Sequence, residues 1–291
     1  LSALRFDGLE IAQQPWLKGQ WHLDVVREAA GGFVKVSAET RDATGLLRFV
    51  LTPVAKTQTL DFQMEGRNWT LPFGASFPME EAIAEGQISP GQLDVKDFSL
   101  GGAFGAVRGA VTATFDGVWA IDGTVGSEGL DLAALIRLLA PAPSSSDESG
   151  PDADTIVSGN ASFFGKFEGK GASLTEAATG AVFAAPVQIR WPVLNGINLG
   201  YAATRPGSAA GSGKGSTRFS ALSAVVVAGG NTISFRDIRG HAGALTASGQ
   251  VEMTADHALS GLLHVELGAT RVLAPIRVAV HGTLIHPQFG R

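Results

Sequence analysis

Hydrophobic and polar residues alternate in short runs along most of the chain, the period-two pattern of strands with one apolar and one wet face. Over residues 58–65, Leu60, Phe62 and Met64 fall on one side, and Asp61, Gln63 and Glu65 on the other. The same alternation predicts strands over 4–11, 20–26, 33–38, 46–52, 92–100, 107–115 and 119–125. It continues over 156–167, 182–189, 219–227, 232–238, 245–253, 259–267 and 276–281. Asp116-Gly117, Ser89-Pro90-Gly91 and Gly229-Gly230-Asn231 supply the turns between runs. Around Gly8, and again between Val95 and Phe98, the apolar face changes parity, which predicts β-bulges.

Alternation with one wet face is the antiparallel condition. Some 15 to 18 strands at roughly 4.8 Å spacing would span on the order of 75–85 Å, and a sheet that wide must twist, curl or split. The expected fold is therefore mainly β: an elongated, twisted antiparallel sheet curled into a groove, with a closed sandwich as the other solution. Few helices are expected. Leu132, Leu135, Ile136 and Leu139 have helical spacing, and Pro141 stops that run. Ser173-Leu174-Thr175-Glu176 is a capping-box pattern ending near Gly180, and a further turn follows Asn198.

Residues 141–155 (PAPSSSDESGPDADT) lack large apolar side chains and read as a flexible linker. They separate an N-terminal β segment, 1–140, from a C-terminal one, 156–291. Residues 205–216 (RPGSAAGSGKGS) read as a second flexible loop. The two segments echo each other at an offset of about 140 residues. Val95-Lys96-Asp97-Phe98 followed by Gly109-Ala110-Val111-Thr112 resembles Phe235-Arg236-Asp237-Ile238 followed by Gly249-Gln250-Val251-Glu252. Duplication of a β unit and shared strand–turn composition both account for the echo.

Composition narrows the function. Of 291 residues, 45% are hydrophobic and only 17% charged, while 38 are glycine, a mix that suits strands and tight turns. With a net charge of −5 and no basic stripe, the chain is not expected to bind nucleic acid. The absence of cysteine removes disulfides, thiol catalysis and thiolate metal sites. No apolar run reaches the ~18 residues of a membrane-spanning helix. The chain opens at Leu1 without an initiator Met, and the expectation is a form from which an N-terminal segment has been removed.

The stretch from Thr217 reads TRFSALSAVVVAGGNTISFRDIRGHAGALTASGQVEMTADHALSGLLHVEL, and Pro275-Ile276-Arg277-Val278-Ala279-Val280-His281-Gly282-Thr283-Leu284-Ile285-His286-Pro287 follows. This resembles the C-terminal region of the AsmA-like proteins of the Gram-negative envelope. Their pattern has an F-x-x-L-x-A strand, a G-x-G-x-V strand and a closing P-I-x-V-x-G-T-L-x-x-P. Leu194-Asn195-Gly196-Ile197-Asn198-Leu199 is similar to the family's L-x-G-I-D-L, with Asn198 where Asp is usual. The likeness covers about 156–291 well and 1–140 more loosely. The Gly/Ser loop at 205–216 and the lack of an N-terminal membrane helix depart from it.

The resemblance implies a periplasmic protein anchored in the inner membrane by a helix absent from this chain. It also implies kinship with bridge-like lipid-transfer proteins, which carry phospholipid or other acyl-chain lipids in an apolar β-groove during outer-membrane biogenesis. The alternation agrees, because every second side chain of a curled strand faces the floor, where acyl chains replace a second sheet. The candidate floor residues are Leu60, Phe62, Met64, Leu93, Val95, Val111, Phe115, Phe163, Phe167, Phe219, Val225, Val227, Val251, Leu263 and Val265. Their alternative role is an ordinary dry core.

Chemistry in the usual sense is not expected. Lys214 is followed by Gly215, which fails the phosphate-loop pattern, and no G-x-S-x-G elbow occurs. His264 and Glu266 share a strand face without a third ligand, so no metal or other cofactor is expected. Trp16, Trp21, Trp69, Trp119 and Trp191 could serve a carbohydrate-active enzyme, but no carboxylate pair accompanies them. The competing non-enzymatic reading is an envelope scaffold that binds a β-rich protein partner.

Overall fold

A computed structural model describes residues 2–9, 20–28, 32–41, 45–70, 78–139, 157–205, 215–268, 275–284 and 286–291. The linker 141–155, most of the loop 205–216, and Trp16 lie outside the described residues.

Among the described residues the chain forms one open antiparallel sheet of 18 strands with three short helices. The first nine strands are β1 (Ser2–Leu9), β2 (Trp21–Arg27), β3 (Phe33–Arg41), β4 (Leu46–Pro53), β5 (Leu60–Thr70), β6 (Pro78–Ser89), β7 (Gln92–Gly102), β8 (Gly105–Phe115) and β9 (Trp119–Asp131). Each pairs with the next in sequence. Then come α1 (Leu132–Leu139), β10 (Val157–Gly171), α2 (Leu174–Thr179), β11 (Val182–Leu194), α3 (Leu199–Thr204) and the two-residue β12 (Thr217–Arg218). The series closes with β13 (Ala221–Gly229), β14 (Thr232–Ala242), β15 (Leu245–Thr254), β16 (Leu259–Leu267), β17 (Ile276–Gly282) and β18 (Pro287–Gly290), paired in order. β10 joins β9 and β11, and β11 pairs with both β12 and β13.

Two compact units divide the chain. The first comprises Leu1–Gly126 and Phe167–Ala181; the second comprises Ser127–Lys166 and Val182–Arg291.

β6 is the strand whose sequence hides it. On the face that carries Phe62 its residues are Ala82, Ala84 and Gly86, all small, while Ile83 points outward. The hydrophobic alternation that marks the other strands is inverted there. The helices follow their caps. Asp131 Oδ1 accepts from the N–H groups of Ala133 and Ala134 at the start of α1. At α2 the Ser173 hydroxyl accepts from the Glu176 N–H, and the Glu176 carboxylate accepts from the Ala172 N–H, a variant of the capping box whose return bond reaches the residue before the cap. Asn198 caps α3 by accepting from the Tyr201 N–H.

Both bulges predicted from parity are present, one between Phe6 and Leu9 against β2 and one between Val95 and Phe98 against β8. The second has a counterpart. Val95 pairs with Val111 and Phe98 with Gly109; in the other unit Phe235 pairs with Val251 and Ile238 with Gly249. In both, the bulged strand carries an extra residue against its preceding neighbour too, β7 against β6 and β14 against β13. The sequence echo is thus an echo of register: two three-stranded sets, β6–β8 and β13–β15, kink at matching positions.

Candidate functional site

In the first unit the strand registers build continuous apolar rows. One runs Phe6, Leu23, Ala38, Phe49, Met64, Ala84, Phe98, Gly109 and Val125, each directly opposite the next across β1–β9. The adjacent row on the same face is Leu4, Val25, Val36, Leu51, Phe62, Gly86, Val95, Val111 and Gly123. Neither row contains a charged or hydrogen-bonding side chain. A third begins at Pro53 and crosses Leu60, Ile88, Leu93, Ala113 and Ile121.

The opposite face is wet. Arg5, Asp24, Ser37, Val50, Gln63, Glu85 and Asp97 form its matching row. Arg5 Nε donates to Asp24 at 2.8 Å, and the His22 ring meets Asp7 at 2.7 Å. The hydrogen bond and charge of Asp24 raise the Arg5 pKa further above its ordinary value. Asp61 accepts from Gln87 at 3.0 Å and Asp94 from the Thr112 hydroxyl at 3.2 Å. Carboxylates are thus spread across the strands in local pairs, without a shared cleft.

Burial differs along the apolar face. Around Phe62 the cluster consists of Phe62, Ala84 and Val95 with partly buried Leu51, Met64, Leu93, Phe98 and Val111. Among the described residues, all of these belong to β4–β8, so the strands bury one another there. Nearer β9, α2 covers the face: Ala177 is fully buried against Ala113 and Ile121, with Phe167 and Trp119 beside it.

The second unit treats its apolar face differently. Leu199, Ala202 and Ala203 of α3 are fully buried against Leu263, Val265, Val278 and Val280, with Phe219 and Phe289 completing the core. Thr217, itself buried, fixes the start of this helix: its hydroxyl accepts from the Leu199 N–H at 2.9 Å and donates to the Ile197 carbonyl at 2.8 Å.

The predicted floor residues therefore separate into groups. Leu60, Phe62, Met64, Leu93, Val95 and Val111 share one face and touch or adjoin one cluster. Phe115 ends that face beside Trp119, ring centroids 5.3 Å apart, and stands half exposed. Phe167 lies within the α2-covered patch, and Phe163 packs edge-on to Phe183 at 6.0 Å. Phe219, Leu263 and Val265 are sealed in the α3 core, with Val251 at its margin. Val225 and Val227 correct the parity expected for them: they stand opposite Arg236 and Ser234 on the wet face, while Val226 pairs with Phe235 on the apolar one. The run Ala224–Ala228 is apolar at every position, so its sequence carries no alternation from which to read parity. Phe49, Leu51 and Phe98 belong to the face and were not among the candidates, although Leu47, Phe49 and Leu51 alternate cleanly.

His264 stands opposite Ser248 and Arg277, and Glu266 opposite Thr246, so the nearest cross-strand cation opposes rather than completes a metal site. Among the described residues no three His, Asp or Glu side chains are grouped to hold a metal. No helix among them is long and apolar enough to cross a membrane. No family model, no curated protein and no solved structure matches this chain.

Proposed function

We propose that the chain is a lipid-binding protein whose apolar sheet face in the first unit holds acyl chains. The observation that carries this is the cluster around Phe62, Met64 and Val95, which lies on charge-free rows nine strands wide and, among the described residues, is packed by side chains of β4–β8. A sheet face of this kind gains by burial against a second apolar layer, at about 0.8 kcal/mol per buried methylene. Hydrocarbon supplies such a layer without donors or acceptors, which matches a face that offers none.

The sequence resemblance to AsmA-like proteins supports the wider setting: a periplasmic, inner-membrane-tethered protein that carries phospholipid and contributes to outer-membrane biogenesis. In this reading it is not an enzyme. Within the second unit α3 takes the place of hydrocarbon, so the lipid-facing residues are those of β4–β8. A second reading, a scaffold for a β-rich envelope protein, draws on Phe164 and Trp191, whose side chains are among the most exposed of the large apolar groups.

Extraction and mass spectrometry of the gently purified protein test the proposal, together with photo-crosslinking residues placed singly at 61, 62, 63 and 64 in cells. Lipid adducts at 62 and 64 but not at 61 and 63 are expected. Equal labelling at all four, or a lipid-free protein, would sink it, and a protein adduct at Phe164 or Trp191 would favour the scaffold.

A further inference from the structure

The two ends of the strands in the first unit differ in how they treat large apolar side chains. At the end bearing the β7–β8 turn, Trp21, Leu47, Met79 and Phe104 are all buried. The opposite end carries the β2–β3, β4–β5, β6–β7 and β8–β9 turns, because successive strands are antiparallel. There the large side chains are left in solvent: Val118 is 53% exposed, Phe115 48%, Phe33 41% and Ile88 36%.

These exposed groups are held in place. The Phe115 N–H donates to the Gly91 carbonyl at 2.7 Å, tying the β8–β9 tip to the β6–β7 tip, and the Phe115 ring packs on Trp119. They also continue the apolar face, since Ile88 is opposite Leu93 and Phe115 opposite Trp119 on the side that carries Phe62. Charge is sparse: between β4 and β9 the three turns carry only Lys56 and Asp116.

We propose that this end is the seat of the protein on a lipid bilayer, with Val118, Phe115 and Ile88 entering the boundary between headgroups and acyl chains. The proposal rests on the lipid-binding reading and adds where lipid reaches the face. The chemistry selects a bilayer over a protein. The exposed side chains lie at three of the tips, Phe33 at β2–β3, Ile88 at β6–β7 and Phe115 with Val118 at β8–β9, a spread along the row of strands that suits a flat fluid surface better than a pocket. Near-neutral tips bearing aromatic groups match the zwitterionic interface, and attraction to anionic lipid is not needed. The contact is accordingly weak, reversible and insensitive to salt.

The chain has no cysteine, so a single introduced one carries an environment-sensitive fluorophore without competition. Labelled Val118→Cys is compared with labelled Ala103→Cys, an exposed position in the turn at the other end. With phosphatidylcholine vesicles, the label at 118 is expected to shift to the blue and be quenched by brominated lipid, equally at low and high salt, while that at 103 stays in water. The Ile88→Ser/Phe115→Ser pair should weaken vesicle partitioning by about tenfold. Equal response at both labels, no response at either, or binding only to anionic vesicles at low salt would each overturn the proposal. Insertion by a protein that carries no co-purified lipid leaves this seat standing and removes the acyl-chain reading. Co-purified lipid without insertion removes the seat alone.

Discussion

The Phe62 ring lies over Gly86, its direct partner across β5 and β6, so closely that a Cβ at position 86 would come within 2.8 Å of the ring and 1.9 Å of the Asp94 carbonyl. Phe98 covers Gly109 in the same way, and Phe219 covers Gly240. An aromatic ring laid across a neighbouring glycine fills the space that the missing side chain leaves and lets the sheet bend there.

Gly86→Ala should therefore cost about 2–3 kcal/mol, read as a lowered midpoint in urea, because the neighbour that would have to move, the Asp94 carbonyl, is backbone. Gly101→Ala is the control. Its added Cβ would meet nothing nearer than 3.8 Å. That change should stay within about 0.5 kcal/mol of the parent and lie on the stabilising side, through lost freedom of the unfolded chain.

The bulge in β14 depends on Asp237, whose φ is +50°. Asp237→Gly should be neutral or stabilise by up to about 1 kcal/mol, whereas Asp237→Val should destabilise by roughly 1–2 kcal/mol, since a β-branched side chain is strained in that region. Equal effects from the two substitutions would show that the bulge does not need the left-handed conformation.

Thr217 holds α3 over its core through a donor and an acceptor bond that valine cannot replace. Thr217→Val should cost about 2 kcal/mol by leaving the Leu199 N–H unpaired in a buried place, and Thr217→Ser should recover much of it. Amide hydrogen exchange across α3 would locate the loss.

If hydrocarbon lies on β4–β8, an added carboxylate there should expel it. Met64→Glu is expected to lower co-purified lipid several-fold while the protein stays folded, because Met64 is only partly buried and has solvent to reach. Gln63→Glu, one residue away on the wet face, should leave lipid content unchanged. Parallel losses at both positions would argue against a one-sided site.

Much of this architecture is legible residue by residue. Alternation such as Leu60-Asp61-Phe62-Gln63-Met64 assigns a strand and its two faces at once, because the side-chain period of a strand is two. Even the bulge between Val95 and Phe98 is written as a slip of parity. β6 escaped because Ala82, Ala84 and Gly86 face inward beneath larger neighbours, and size complementarity across strands is invisible in one strand alone. The Val225 and Val227 assignment failed for a related reason: an unbroken apolar run has no parity until a partner strand sets its register.

Sequence by itself determined most of the strands, their antiparallel character and the presence of an apolar face, since these follow from local periodicity and turn chemistry. Only tertiary structure decided what meets that face. Phe62 and Leu263 have the same local pattern, yet one is packed by its own sheet and the other lies under Leu199, Ala202 and Ala203. Covering a strand is a contact between residues far apart in the chain, and the hydrophobic effect rewards burial without specifying the partner.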